Sequence, residues 1–235
     1  MTINKEWVEL PVQDGTSMRA YIAAPEGKLI GSLIVLQEAF GVNAHIRDVT
    51  ERFAAEGYAC IAPELYHRSA PGFEADYVSK AGVSEQMGAL TDENLIADVH
   101  AAMVWLTKNA PTESGKIGAI GYCMGGRTAF LANTALPLSC AVSYYGARIA
   151  STLLDRVESA SGPTLLLWGG LDDHISSADH KAITDALDSA GKEYANIVFS
   201  YGEHGFFCDA RASYNQQAAT EAWGLTLAFL KNKLT

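Results

Sequence analysis

"KIGAIGYCMGGRTAF", Lys116 to Phe130, is the stretch on which the fold turns. An apolar run, Ile117 to Tyr122, stops at Cys123, and a segment that can be helical follows Gly125-Gly126. Gly121-Tyr-Cys-Met-Gly125 therefore has the spacing G-x-C-x-G between a strand and a helix. This is the thiol form of the nucleophile elbow. A nucleophile there sits on a sharp, strained turn, and side chains two residues before and after it would collide with neighbouring backbone, which calls for glycine. The turn lifts Sγ clear of the sheet and sets it at a helix N-terminus, where the dipole favours thiolate. The backbone N–H of Met124 then points to where an oxyanion would form.

Outward from the elbow, strand and helix signals alternate. "WVELPV" and "MRAYIAA" flank Asp14-Gly15 and read as an amino-terminal hairpin. "SLIVLQ", "YACIAP", "LSCAVSYYG", "PTLLLWGG" and "YANIVFSY" read as further strands. Asn43 fits an N-cap before Ile46, Val49 and Phe53, and Gly57 closes that helix. Ile96, Val99, Met103 and Leu106 mark a second helix; others are expected over Ser177 to Ala190 and about Tyr214 to Lys231. The alternation predicts an α/β fold: a mostly parallel central sheet with helices on both faces. Its active site belongs at the carboxyl ends of the strands. The longest irregular region, about Glu64 to Thr91, is long enough to suggest a lid.

The 235 residues suit one α/β domain, 1–235, with no linker, repeat or low-complexity segment. A formal net charge of -10 argues against nucleic acid as partner. No apolar run reaches the roughly 20 residues that span a bilayer, and "MTINKEWVEL" lacks a signal peptide's apolar stretch. The cytoplasm is the expected location, and a monomer or small homo-oligomer the expected state. Cys60, Cys123, Cys140 and Cys208 form no CxxC pair and no close Cys/His cluster, so neither a metal site nor a disulfide framework is expected. Cys60 and Cys140 read as small core residues, as does Cys208 despite its nearness to His204.

A nucleophile needs a base, and the base needs an orienting group. In the α/β-hydrolase order nucleophile, acid, histidine, the carboxylates that follow Cys123 at a strand end are Asp172 and Asp173 in "LLLWGGLDDHIS". Asp172 is chosen, which leaves Asp173 as a loop carboxylate or helix cap. His204 in "SYGEHGFF" ends a later strand and is the base; His174 shares a loop with the acid and comes too early. His45, His67, His100 and His180 are expected to be surface or helix-cap residues. Arg127, one turn into the elbow helix, reads as a structural salt-bridge partner.

"VLQEAFGVNAHIRDVTERFAAEGYACIAPELYHR", "GAIGYCMGGR", "LWGGLDDHIS" and "GEHGFF" together resemble the dienelactone hydrolases over nearly the whole chain. The resemblance implies an α/β-hydrolase fold, no cofactor, and hydrolysis of a small ester or lactone through an acyl-thioester, as in dienelactone to maleylacetate. It implies that Glu38 holds the resting thiol, that the N–H of Ala39 joins Met124 in the oxyanion hole, and that Tyr145 lies near the substrate. It also implies two arginines that bind a substrate carboxylate. Here the chain departs from the pattern: the long loop offers only Arg68 and Lys80, and the segment after His204 is longer and offers Arg211. A different lactone or ester is compatible with that departure. An esterase or thioesterase on this scaffold, and a non-catalytic thiol-bearing module, are the alternatives.

Overall fold

The computed structural model describes residues 2–235. The chain divides into two compact units, one running to Gly118 with Leu234–Thr235 added, the other Ala119–Lys233.

The first unit begins with the hairpin of β1 (Ile3–Pro11) and β2 (Ser17–Pro25), antiparallel with Leu10 opposite Met18. Its turn closes by Val12 N–H donating to the Thr16 carbonyl (2.9 Å), while Asp14 Oδ1 accepts from Thr16 N–H (3.0 Å). β2 pairs antiparallel with β4 (Tyr58–Pro63), and β4 parallel with β3 (Gly31–Leu36). Every residue of β3 and β4 is buried, as expected of strands covered on both faces. Helix α1 (Ala44–Ala55) starts where Asn43 Oδ1 accepts from Ile46 N–H (3.2 Å), and it buries Ile46, Val49 and Phe53. Thr91 caps α3 (Asp92–Asn109) in the same way. The fully buried seam of α3 is Leu95, Val99, Ala102 and Leu106, while Ile96 and Met103 lie half-buried on its flank.

The region between β4 and α3 is not a loose lid. It contains α2 (Val83–Gly88), and its Phe73, Ala75 and Tyr77 pack on Ala39, Phe40 and Val83. Ala75 N–H donates to the Phe40 carbonyl (3.1 Å). Gly41, at φ +84°, lies so close to the Phe73 carbonyl that a Cβ would sit 1.9 Å from it.

The second unit begins within β5 (Ile117–Tyr122), and its strands run in the order β5, β6 (Cys140–Tyr144), β7 (Thr164–Gly169), β8 (Tyr194–Phe199). β6, β7 and β8 are parallel, with Leu165 opposite Val142 and Ala195. The intervening helices are α4 (Met124–Ala135), the short α5 (Ile149–Thr152) and α6 (Ser177–Ser189), and α7 (Gln216–Leu234) closes the chain. A 3₁₀ turn, Leu154–Ser159, follows α5.

Candidate active site

β5 ends at Tyr122, α4 starts at Met124, and Cys123 between them has φ 55° and ψ −114°, an unfavourable region for a residue with a Cβ. The corner is held by Cys123 N–H donating to the Tyr144 carbonyl (3.0 Å). A Cβ on Gly121 would lie 2.0 Å from the Gly125 carbonyl oxygen, so the turn cannot close around any other residue. Cys123 is partly exposed, whereas Cys60, Cys140 and Cys208 are buried. Met124 is the first residue of α4, and its N–H belongs to the positive end of the helix.

Asp172 and His204 come from the loops after β7 and β8. Asp172 Oδ2 accepts from His204 Nδ1–H at 2.8 Å, and Asp172 Oδ1 accepts from the N–H groups of His174 (2.8 Å) and Ile175 (3.2 Å). The carboxylate is thus saturated on one oxygen and aimed at the imidazole with the other. Asp173 points away: its side chain is 87% exposed and faces His174 Nδ1 at 3.6 Å. The loops are joined by Leu171 N–H donating to the Gly202 carbonyl (2.9 Å). The His204 ring is packed edge-on by Tyr145 (5.1 Å between centroids) and His174 (5.0 Å).

The electrostatics of the pair follow from these contacts. Burial opposes protonation of His204, but hydrogen bonds to Asp172 and to the Cys123 side chain, with the charges of both, outweigh it and push the imidazole up to about 10. Burial likewise acts against the charged form of Asp172, and the His204 contact overcomes it, holding the carboxyl below its ordinary value. The favoured form of the site has imidazolium between carboxylate and sulfur. Such an arrangement activates a thiol and can return a proton to a leaving group.

Each remaining candidate has its own surroundings. In the first unit, Glu38 is fully buried and its Oε2 accepts from the Tyr77 hydroxyl (3.2 Å), which in turn accepts from Asn43 Nδ2 (2.9 Å). Ala39 is buried beside it, with its carbonyl accepting from Tyr66 Oη (3.1 Å). Tyr77 gave no signal of its own in the sequence beyond lying in the long loop. Arg68 is committed: it grips both oxygens of the fully buried Asp98 (2.8 and 2.9 Å) and donates through Nε to Asp14 (2.7 Å). Lys80 lies on the surface, at a positive-φ turn before α2. Arg211 lays its guanidinium against Gly205, the residue after His204; a Cβ there would be 2.4 Å from Nη1. Arg127 donates to the Thr152 hydroxyl (2.9 Å).

Three of the histidines expected at the surface or at helix caps are buried. His45 is packed on α1, His67 pairs with Asp98 (3.1 Å), and His180 stacks on Trp168 at 4.5 Å. Each occupies a helix or turn face that packs inward, which their spacing did not disclose.

The fold and site define a class, the α/β-hydrolases. Within it the dienelactone hydrolase family model matches residues 18–234. The chain is 36% identical over 234 residues to the "Putative carboxymethylenebutenolidase" of a Synechocystis species, covering 92% of each chain. It is 33% identical to the protein of that name from Escherichia coli, over 96% of this chain and 86% of the other. A solved structure from Klebsiella pneumoniae, "Putative Dienelactone Hydrolase", superposes with a TM-score of 0.88 at 29% identity, covering 97% of this chain and 98% of that one. The chain belongs to the dienelactone hydrolase family and is a hydrolase with the α/β-hydrolase fold, a mostly parallel sheet with helices on both faces.

Proposed function

We propose that the chain hydrolyses carboxylic ester or lactone bonds by a Cys123–His204–Asp172 triad through an acyl-thioester. The observation that carries this reading is the 2.8 Å hydrogen bond between Asp172 and His204, with the Cys123 side chain among the groups that raise the imidazole. The thiolate of Cys123 adds to the substrate carbonyl. Negative charge collects on the carbonyl oxygen, where Met124 N–H at the head of α4 stabilises it. Collapse expels the alcohol or enolate oxygen, which takes the proton held by His204. Neutral His204 then removes a proton from water, the hydroxide attacks the thioester, and the carboxylic acid leaves as the thiolate returns. Asp172 fixes the imidazole tautomer with Nδ1–H inward and Nε2 toward the chemistry. Glu38 and Ala39 keep the roles that the resemblance implies, and the burial of Glu38 is compatible with a restraining carboxylate.

The substrate is a small ester or lactone, and the names of the relatives favour an enol-lactone. Arg211, close to His204 along the chain and in space, is the better candidate for a substrate carboxylate. The engagement of Arg68 with Asp98 and Asp14 favours a second reading, an esterase of other specificity that does not use a two-arginine clamp. The cytoplasm fits four cysteines that form no disulfide among the described residues, and no described helix is long and apolar enough to cross a membrane. A screen of lactones and aryl esters with the wild type and Cys123→Ser tests the reading: turnover that survives undiminished in the serine variant contradicts it.

A further inference from the structure

A cleft of about 120 Å³ opens in the second unit beside the triad. From the corner between β6 and α5 it is lined by Arg148 and Ser151, from the acid loop and α6 by His174 and Asp179, and the buried Ile149 and Ile175 give it an apolar lining. Two of its lining residues touch the triad. The His174 ring meets His204 edge-on, and Ile175 donates its N–H to Asp172.

Two further observations mark this cleft as built for a ligand. The corner that carries Arg148 is strained, with Tyr145 at φ 38° and Arg148 at φ 67°, neither of them glycine. Such conformations cost free energy and persist where a ligand clamp needs them. The Arg148 guanidinium is exposed and makes no hydrogen bond or ion pair among the described residues, although an acidic side chain lines the same cleft. That acid, Asp179, is occupied: its Oδ2 accepts from Ser176 N–H (2.8 Å) and Oγ (2.7 Å) at the cap of α6. The cleft therefore offers an uncommitted cation, an imidazole, a hydroxyl and apolar walls. Its volume equals that of roughly four waters, room for a carboxylate on a short stem.

We propose that this cleft is a subsite for a carboxylate-bearing portion of the substrate, with Arg148 as its specificity-determining residue and Asp179 as an opposing charge that limits it. The proposal rests on the hydrolase reading above and adds an anion site distinct from Arg211.

The two charges give it a signed test. The ratio of kcat/KM for an aryl ester of a short dicarboxylic acid to that for the isosteric neutral alkanoyl ester is measured in the wild type and variants. Arg148→Ala should lower the ratio about 3- to 10-fold, the range of a partly enclosed ion pair. Arg148→Gln should do the same, which separates lost charge from lost packing. Asp179→Asn, which can still accept from Ser176, should raise the ratio. An unchanged ratio in both Arg148 variants, or a fall on Asp179→Asn, overturns the proposal while leaving the triad intact. Neutral-ester hydrolysis that persists in Cys123→Ala overturns the triad reading and the subsite with it.

Discussion

Asp172 Oδ2 lies 2.8 Å from Nδ1 of His204, while the adjacent Asp173 turns its carboxylate to solvent. One position therefore separates a carboxylate that holds an imidazole from a surface charge. Asp172→Asn should cost about 10²–10⁴-fold in kcat, because it misorients the imidazole. Asp173→Asn should leave kcat within about twofold, as surface changes away from such contacts do. Steady-state kinetics on one aryl ester checks both, and the reverse pattern would reassign the acid.

The raised His204 predicts a pH dependence with a definite sign. The folded value, about 10, lies above the ordinary 6.5. The protonated form is thus the stabilised one: its contribution is complete below about 6.5 and is lost as pH rises through about 10. Melting temperatures of the wild type and His204→Gln should therefore converge between pH 6 and pH 10.5. A gap that widens over that range would show that His204 is buried in its neutral form.

The Tyr77–Glu38 hydrogen bond leads to a prediction about thiol reactivity. If Glu38 restrains Cys123, Glu38→Gln should change both the rate and the pH profile of Cys123 alkylation by iodoacetamide. Tyr77→Phe, which removes the donor and keeps the ring on Phe40 (4.5 Å), should change them in the same direction by a smaller factor. Superimposable profiles from pH 6 to 9 in all three proteins would leave Glu38 a structural residue.

Arg68 and Arg211 should separate cleanly. Arg68→Ala leaves the fully buried Asp98 carboxylate without its bidentate partner, a change that typically costs about 3–5 kcal/mol. It should lower Tm and leave the preference for anionic over neutral substrates unmoved. Arg211→Ala should reduce that preference chiefly through KM. If Arg68→Ala shifts the preference at full stability, the assignment is inverted.

What the sequence disclosed and what it did not have physical reasons. The elbow was readable because its demands are local: Gly121 is dictated by a carbonyl four residues on, and the strand before it is a continuous apolar run. The order Cys123, Asp172, His204 was readable because the strand ends that carry them follow one another along the chain. Asp172 could be preferred over Asp173 only by choice, since a turn decides which of two neighbours faces inward. α2 and α5 passed unseen because neither start has a side-chain cap and each is held by packing rather than by its own pattern. The role of Arg68 depends on Asp98, 30 residues away on the buried face of α3, a pairing that only the folded chain creates. The docking of Tyr77 and Phe73 on Phe40, which turns an apparent lid into a fixed layer, is hidden for the same reason.

Hydrolysis by this route requires that Cys123 become acylated, and intact-protein mass spectrometry after acid quench tests that step most directly. During turnover of a slowly deacylated aryl ester the wild type should gain the mass of one acyl group, mapped by digestion to the peptide that contains Cys123. Cys123→Ala should fold normally by circular dichroism, gain no mass and hydrolyse nothing. Hydrolysis at the wild-type rate by Cys123→Ala, or an acyl group found on another residue of the wild type, would contradict the account.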